Sequence, residues 1–314
     1  MAYSPRITAQ AGDAQRRILF IDDEPMEGGL RFDSSAAVRK GDSHRWLESE
    51  LRDAIECDGL SLNYQPQYDI RSGRVCGVEA LARWIRAGGD SIEPSVFIAR
   101  AERAGLIGLL GAWALRNGCK TAAQWLAARV PVPTIAINVS PRQICEQFTT
   151  EIAQALELSG LPGDRLELEI TENVLLSNTD MALKCMAQWK RLGVHIALDD
   201  FGAGYSNLSY LSKLPIDRLK IDGSLIRGMI RGSRDTTIVR AVISLAVDLG
   251  ITVLAECVET EEQFAMLDEL GCQQAQGRLL TPPASAAQAR ALMGARWGAR
   301  EAVQAPREDR RQRC

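Results

Sequence analysis

The sequence predicts an α/β protein built on a closed (β/α)₈ TIM-like barrel. Apolar strand-like segments alternate with amphipathic helical segments between residues 60 and 294, which is the pattern of a βα-repeating domain. A chain of 314 residues is long enough for one such barrel with short additions. The first two strands are separated only by the turn "DIRSGRV", so one strand should run antiparallel to its neighbour. A doubly wound open sheet is the alternative fold.

The chain begins with a polar stretch that precedes any barrel element. Residues 18–21, "ILFI", have the character of a short strand and end in Asp22 and Asp23. Residues 42–58 carry an apolar helical stripe and are followed by Gly59, a helix-stop signal. We therefore predict a disordered or receiver-like remnant over residues 1–41 and a linker helix over residues 42–59.

The barrel elements follow in order. Strands are expected near residues 61–68, 75–84, 134–139, 165–171, 194–200, 217–222, 251–256 and 273–276. Helices are expected near residues 94–104, 108–128, 148–159, 180–192, 233–249, 260–270 and 284–294. Gly193, Gly250 and Gly271 suit helix ends. An arginine-rich segment, residues 295–314, is predicted to be a flexible tail.

Composition excludes several classes of function. The formal net charge is −3, which does not favour binding to a nucleic-acid polymer. No apolar run is long enough to span a membrane and no signal-peptide pattern is present, so a cytoplasmic location is expected. The eight cysteines form no C-x-x-C pair and the chain has only two histidines, which argues against zinc.

Polar residues occur near the C-terminal end of nearly every predicted strand, where barrel active sites form. These residues are Glu79, Asn138, Glu169, Asp199, Asp200, Lys220, Asp222, Glu256 and Gln276. Carboxylate and amide oxygens suit Mg²⁺ or Mn²⁺, with Ca²⁺ as a competitor. Two adjacent aspartates can hold two ions, an arrangement used to hydrolyse phosphodiesters. The pattern therefore predicts one shared metal site.

Six motifs, in order, closely resemble the EAL domain family of cyclic di-GMP phosphodiesterases. They are "YQPQYDIRSGRVCGVEALARW", "INVS", "LELEITE", "LDDFGAGYSNLSYLSKLPIDRLKID", "AECVET" and "QGRLL". The resemblance covers about residues 60–285. It implies a homodimer that opens cyclic di-GMP to linear pGpG, needs two Mg²⁺ or Mn²⁺ ions and is inhibited by Ca²⁺.

The resemblance also implies roles for individual residues. Glu79, Asn138, Glu169 and Asp199 would hold one metal, and Asp199 and Asp200, with Glu256 nearby, would hold the second. Lys220 would orient the attacking water, with Glu256 beside it, and Glu172 would anchor a flap over residues 201–209. The substrate groove would be lined by Gln65, Leu81, Arg83, Pro94, Asn138, Asp222, Glu259 and Gln276.

Two positions depart from the family pattern. Cys257 replaces a usual glycine beside Glu256, and Arg278 replaces a usual aromatic residue. Neither removes a metal ligand. The alternative function is a catalytically weak sensor or scaffold that binds cyclic di-GMP. A barrel acting on another phosphodiester is a third, weaker hypothesis.

Overall fold

A computed structural model describes residues 40–57, 59–86, 88–131, 134–172, 179–204, 211 and 213–297, with the backbone alone for residues 40–47. The predicted strand at residues 18–21 and most of the predicted tail lie outside these ranges. Within the described part of the chain, no helix combines the length and apolar character needed to cross a membrane.

The strands form one nine-stranded sheet that closes on itself. Its strands are β1 (Leu60–Asp69), β2 (Val75–Ile85), β3 (Ser91–Ile92), β4 (Thr134–Val139), β5 (Leu166–Thr171), β6 (His195–Phe201), β7 (Arg218–Ile221), β8 (Thr252–Ala255) and β9 (Gln274–Ala275). Their order is β1-β9-β8-β7-β6-β5-β4-β2-β3, and an additional β1–β2 pairing closes a barrel of eight strands. The predicted (β/α)₈-type barrel is confirmed, and the open-sheet alternative is wrong.

Helices connect the strands on the outside of the barrel. They are α1 (Lys40–Glu56), α2 (Pro94–Arg103), α3 (Ile107–Ala127), α4 (Glu146–Ser159), α5 (Thr179–Arg191), α6 (Gly223–Arg227), α7 (Arg234–Asp248), α8 (Glu261–Glu269) and α9 (Ala286–Leu292). Their buried faces pack on strands that are buried on both sides, as expected for a parallel sheet. Leu166, Leu168 and Ile170 of β5, for example, are fully buried.

One strand, β1, runs antiparallel to both of its neighbours, β2 and β9. A tight turn joins β1 to β2 and reverses the chain at once. Within it Gly73 has a φ of 65°, and its backbone N–H donates to the Asp69 carbonyl at 2.8 Å. Such a left-handed conformation favours glycine. The predicted antiparallel strand is therefore present, for the predicted reason.

Short elements account for most differences from the predicted structure. Strand β3, helix α6 and two 3₁₀ turns were not predicted, because elements this short carry no readable periodicity. The strands β7, β8 and β9 end earlier than predicted, so Asp222, Glu256 and Gln276 lie just beyond them.

The two ends of the described chain both pack on the barrel. In α1, Leu51 is fully buried, and this helix contacts α2 and α3. After α9, the backbone N–H of Trp297 donates to the Gly73 carbonyl at 2.8 Å, and its ring lies 4.5 Å from that of Phe264. Residues up to Trp297 thus pack on the barrel, and the predicted domain end at residue 294 stays a prediction.

Candidate active site

The candidate site lies at the C-terminal mouth of the barrel. Strands β4 to β9 run parallel, so their carboxyl ends meet at one rim, and side chains at alternate positions point into the barrel. Glu79 of β2 is paired in register with Gln65 of the antiparallel β1, so these two side chains lie next to each other, and both contact Gln276. The polar residues predicted from separate motifs therefore meet in one place.

Lys220 lies at the centre of this cluster and is fully buried. Its Nζ is 2.8 Å from Glu169 Oε2 and 3.1 Å from Asp199 Oδ2. It also lies 2.7 Å from Glu256 Oε1 and 3.7 Å from Glu79 Oε2. Four carboxylates, carried by or directly following four different strands, thus surround one ammonium group.

Glu79 is held by amide side chains on its other side. Asn138 Nδ2 donates to Glu79 Oε1 at 2.7 Å, and Gln276 Nε2 donates to Glu79 Oε2 at 2.6 Å. Gln276 Nε2 also lies 2.8 Å from Gln65 Oε1, while Gln65 Nε2 donates to the Thr281 carbonyl at 3.1 Å. This chain of hydrogen bonds fixes the Glu79 carboxylate in the barrel.

Asp199, Asp200 and Glu256 form a second group of carboxylates at the rim. Each offers an oxygen atom within 4.8 Å of the other two. Asp200 has a φ of 56°, a left-handed conformation that is uncommon for a residue with a side chain. Its backbone N–H donates to Asp199 Oδ1 at 2.9 Å, which fixes the two aspartates relative to each other.

Burial and mutual repulsion shift the acid–base properties of the cluster. The pKa of Glu169 is raised well above its ordinary value by burial and by the charge of Glu79. Burial and the charge of Asp199 raise the pKa of Glu256 well above normal and that of Asp200 to about 7. Burial opposes the charge of Lys220, but the surrounding carboxylates hold its pKa well above its ordinary value.

These residues fit divalent cations. Five carboxylates share the site with the single ammonium group of Lys220, so full ionisation leaves an excess of negative charge. Glu169 Oε1 is buried and accepts no hydrogen bond from the described residues, which leaves it available as a ligand. Oxygen donors of this kind suit Mg²⁺ or Mn²⁺.

The remaining predicted groove residues occupy the same end of the barrel. Leu81 and Arg83 follow Glu79 at alternate positions along β2, and Arg83 donates to the Ala82 carbonyl at 3.1 Å. Pro94 is buried at the start of α2, and Glu259 is exposed after β8. Asp222 caps α6 by accepting from the Ser224 backbone N–H at 2.9 Å.

Glu172 directly follows β5 and is half-buried. Of the flap that it was predicted to anchor, residues 205–209 lie outside the described part of the chain. Its anchoring role therefore stays a prediction.

Sequence reasoning missed a second polar layer directly below the candidate site. Arg218 Nη1 lies 2.6 Å from Glu167 Oε1 and 2.9 Å from Gln67 Oε1, and all three residues are buried. The signal was present, because Glu167 and Arg218 lie two positions before Glu169 and Lys220 in "LELEIT" and "RLKI". Period two places each on the same inward face.

The cysteine beside Glu256 has an unusual backbone. Cys257 has a φ of 53°, a conformation that favours glycine and costs a residue with a Cβ about 1 kcal/mol or more. The glycine that the family resemblance leads us to expect here would adopt this conformation without that cost. Arg278, the other departure, is exposed two residues after Gln276.

The fold and the site together define the class of this protein. It is an α/β barrel with carboxylates grouped around a buried lysine at its mouth, and this site suits divalent cations. Within this class, the EAL domain family matches residues 48–283. The chain belongs to the EAL domain family, and the predicted family is thereby confirmed.

The relatives that the chain resembles include one protein named as a phosphodiesterase. The chain is 39% identical over 242 residues to the cyclic di-GMP phosphodiesterase NbdA of Pseudomonas aeruginosa, covering 76% of this chain and 30% of that protein. It is 44% identical to an uncharacterized signaling protein of Caulobacter vibrioides, covering 76% of this chain and 29% of the relative. The chain thus spans about a third of the length of these curated relatives.

A solved structure described as the PaMucR phosphodiesterase in complex with c-di-GMP superposes with a TM-score of 0.74. It is 38% identical, and the match covers 78% of this chain and 99% of that chain. The similarity therefore extends over the whole barrel of that phosphodiesterase.

Proposed function

We propose that this EAL domain hydrolyses cyclic di-GMP to linear pGpG in a reaction that depends on Mg²⁺ or Mn²⁺. The observation that carries the proposal is the convergence of four carboxylates on the buried Lys220 at the barrel mouth, with the carboxylate of Asp200 beside two of them. Membership of the EAL domain family and the similarity to cyclic di-GMP phosphodiesterases support cyclic di-GMP as the substrate.

Two groups of ligands would hold two ions. Glu79, Asn138, Glu169 and Asp199 form the inner group, and Asp199, Asp200 and Glu256 form the group at the rim. When bound, such ions neutralise phosphate charge and lower the pKa of a water molecule. Ca²⁺ has longer bonds and looser coordination, so it should bind and inhibit.

Lys220 would orient the attacking water and keep its own proton. Its Nζ is fixed by Glu169, Asp199 and Glu256, so it presents positive charge in one defined position. Glu256 is the most exposed of these three partners and would accept a hydrogen bond from the water. The water oxygen would bond to one phosphorus atom as one P–O ester bond breaks, and the proton lost by the water would balance the one gained by the leaving oxygen, so the ring opens to a terminal phosphate and a hydroxyl.

The substrate would lie across the mouth, above the metal ligands. Gln65, Leu81, Arg83 and Pro94 would border it on the side of β1, β2 and α2, and Asp222, Glu259 and Gln276 on the side of β7 to β9. Glu172 would hold the flap that follows β6. We further propose a homodimer, as the family resemblance implies, and a cytoplasmic location, as the composition of the chain suggests.

The alternative is a sensor or scaffold that binds cyclic di-GMP with little turnover. All the predicted metal ligands and Lys220 are present and brought together, which favours the enzyme. The alternative would be supported by tight binding of the dinucleotide without a linear product.

One assay tests the proposal. Purified protein is incubated with cyclic di-GMP and Mn²⁺, and the products are separated by chromatography. We expect linear pGpG, no product after chelation of the metal, and unchanged turnover in Glu269→Gln, a surface variant that removes only an exposed pair with Arg231. Absence of pGpG under all metal conditions would contradict the proposal.

A further inference from the structure

We infer that the contact between Cys257 and Gly223 positions Glu256 for the reaction. This inference rests on the proposed hydrolysis and concerns two residues outside the metal-ligand set. Cys257 follows Glu256 directly, and Gly223 is the first residue of α6, three positions after Lys220. The contact therefore joins the strand end that carries Glu256 to the one that carries Lys220.

The fit between the two residues is tight. A Cβ atom added to Gly223 would lie 2.5 Å from Cys257 Sγ and 2.7 Å from Cys257 Cβ. Contacts this short cannot be tolerated, so the sulfur occupies the space that a side chain at position 223 would need. The next nearest atom to that Cβ would be Arg227 Nη1 at 3.1 Å, which lies at the end of a flexible side chain.

The backbone on both sides of Cys257 is held by hydrogen bonds, so a shift of the Cys257 side chain is transmitted to Glu256. On one side, the Glu256 N–H donates to the Ile221 carbonyl at 3.2 Å. On the other, the Val258 N–H donates to the Gln276 carbonyl at 3.0 Å. Cys257 itself turns in the left-handed region between these two fixed points. A shift of its side chain therefore rotates the peptide that carries Glu256.

Glu256 has to be placed accurately because its Oε1 lies 2.7 Å from Lys220 Nζ while its carboxylate also faces Asp199 and Asp200. A displacement on the order of 1 Å can cost about 100-fold in rate when it misaligns reacting groups. Cys257 acts here as a positioning residue, since its effect passes through Glu256.

Moving the bulk from one side of the contact to the other tests the inference. Gly223→Ala inserts a methyl group against the sulfur and should lower kcat on the order of tenfold, with little change in KM. Cys257→Gly removes the sulfur. In Gly223→Ala/Cys257→Gly the new methyl group fills the vacated space, so kcat should return to within about twofold of wild type. Gly108→Ala is the control, because its added Cβ meets nothing within 4 Å in α3.

Mn²⁺ affinity, measured by calorimetry, supplies a second readout that needs no turnover. Gly223→Ala should weaken the binding of Mn²⁺ and the double variant should restore it. Unchanged kcat and Mn²⁺ affinity in Gly223→Ala, or no recovery in the double variant, would overturn the inference. If Gly223→Ala is insoluble, recovery of soluble protein with near-normal Mn²⁺ affinity in the double variant is the expected result. Inactivity of wild type and Gly108→Ala alike would instead contradict the proposed hydrolysis.

Discussion

Lys220 has an unusual environment for a lysine, since it is fully buried among carboxylates at the end of a barrel strand. Burial of an unpaired ammonium group is costly, and the cluster compensates by surrounding it with negative charge. In return, Lys220 reduces the repulsion among those carboxylates. The residue is therefore both a structural counter-ion and the proposed partner of the attacking water.

Lys220→Met should lower kcat by about 100-fold or more, because it removes the charge that orients the water. Binding of divalent cations should be retained or strengthened, since the variant removes a competing positive charge. Turnover and Mn²⁺ binding are measured together on the same protein. Lys190→Met is a matched control, because Lys190 pairs with Asp217 at 2.7 Å at the opposite end of the barrel and should affect stability but not kcat.

The raised pKa of Asp200 predicts that metal binding depends on pH. Burial and the charge of Asp199 raise its pKa from 3.8 to about 7, and a carboxyl group must lose its proton to act as a ligand. The apparent affinity for Mn²⁺ should therefore increase as the pH rises through about 7. Titration calorimetry between pH 5.5 and 8.5 measures this, and a flat profile would exclude Asp200 as a ligand.

The same raised pKa affects the metal-free protein with the opposite sign. A carboxyl group with a raised folded-state pKa binds more protons in the folded state than in the unfolded state. Its contribution to stability is thus greatest below the unfolded value near 3.8 and is lost as the pH rises through about 7. Added divalent cation should stabilise the fold most above that pH.

At the scale of secondary-structure elements, strands β5 and β7 each contribute one inward polar residue to each of two layers. Glu169 and Lys220 form the upper pair, and Glu167 and Arg218 form the lower pair. Gln67 of β1 completes the lower layer through its hydrogen bond from Arg218. The lower layer supports the upper one because both are built on the same strands.

Arg218→Met should destabilise the fold by about 3–5 kcal/mol, because it leaves the Glu167 carboxylate buried without its partner. The double variant Arg218→Met/Glu167→Leu should recover most of this loss, since no unpaired charge then remains. Urea unfolding measures both free energies. Equal destabilisation of the single and double variants would show that packing, and not the ion pair, determines the stability of this layer.

The elements differ in how well the sequence predicts them. Glu79, Asn138 and Glu169 could be placed at one rim because inward residues alternate along strands and parallel strands end together. The left-handed backbone of Asp200 and Cys257 could not be predicted, because cysteine does not favour this conformation and most aspartates, although enriched in it, adopt others. Helix α6 has five residues and begins at the Asp222 cap, and it is too short for a periodic pattern to predict it.

At the scale of the whole molecule, the predicted site residues lie between Gln65 and Gln276, within the barrel. Helix α1 precedes the barrel and packs on it through Leu51. Removal of residues 1–39 should therefore leave kcat and KM for cyclic di-GMP within about twofold of the full chain. Steady-state assays of both proteins check this. Loss of metal binding and turnover in a truncated protein with an intact circular dichroism spectrum would show that Asp22 and Asp23 contribute.

The central claim is that one carboxylate, Asp199, serves both groups of metal ligands. It contacts Lys220 at 3.1 Å and also lies with Asp200 and Glu256 at the rim. Asp199→Asn keeps the shape of the side chain and removes its charge. The most direct test measures pGpG formation and Mn²⁺ stoichiometry for this variant and for wild type. We predict two bound ions and turnover in wild type, and a folded variant with at most one ion and turnover reduced by about 100-fold or more. Near-normal hydrolysis by Asp199→Asn would contradict the account.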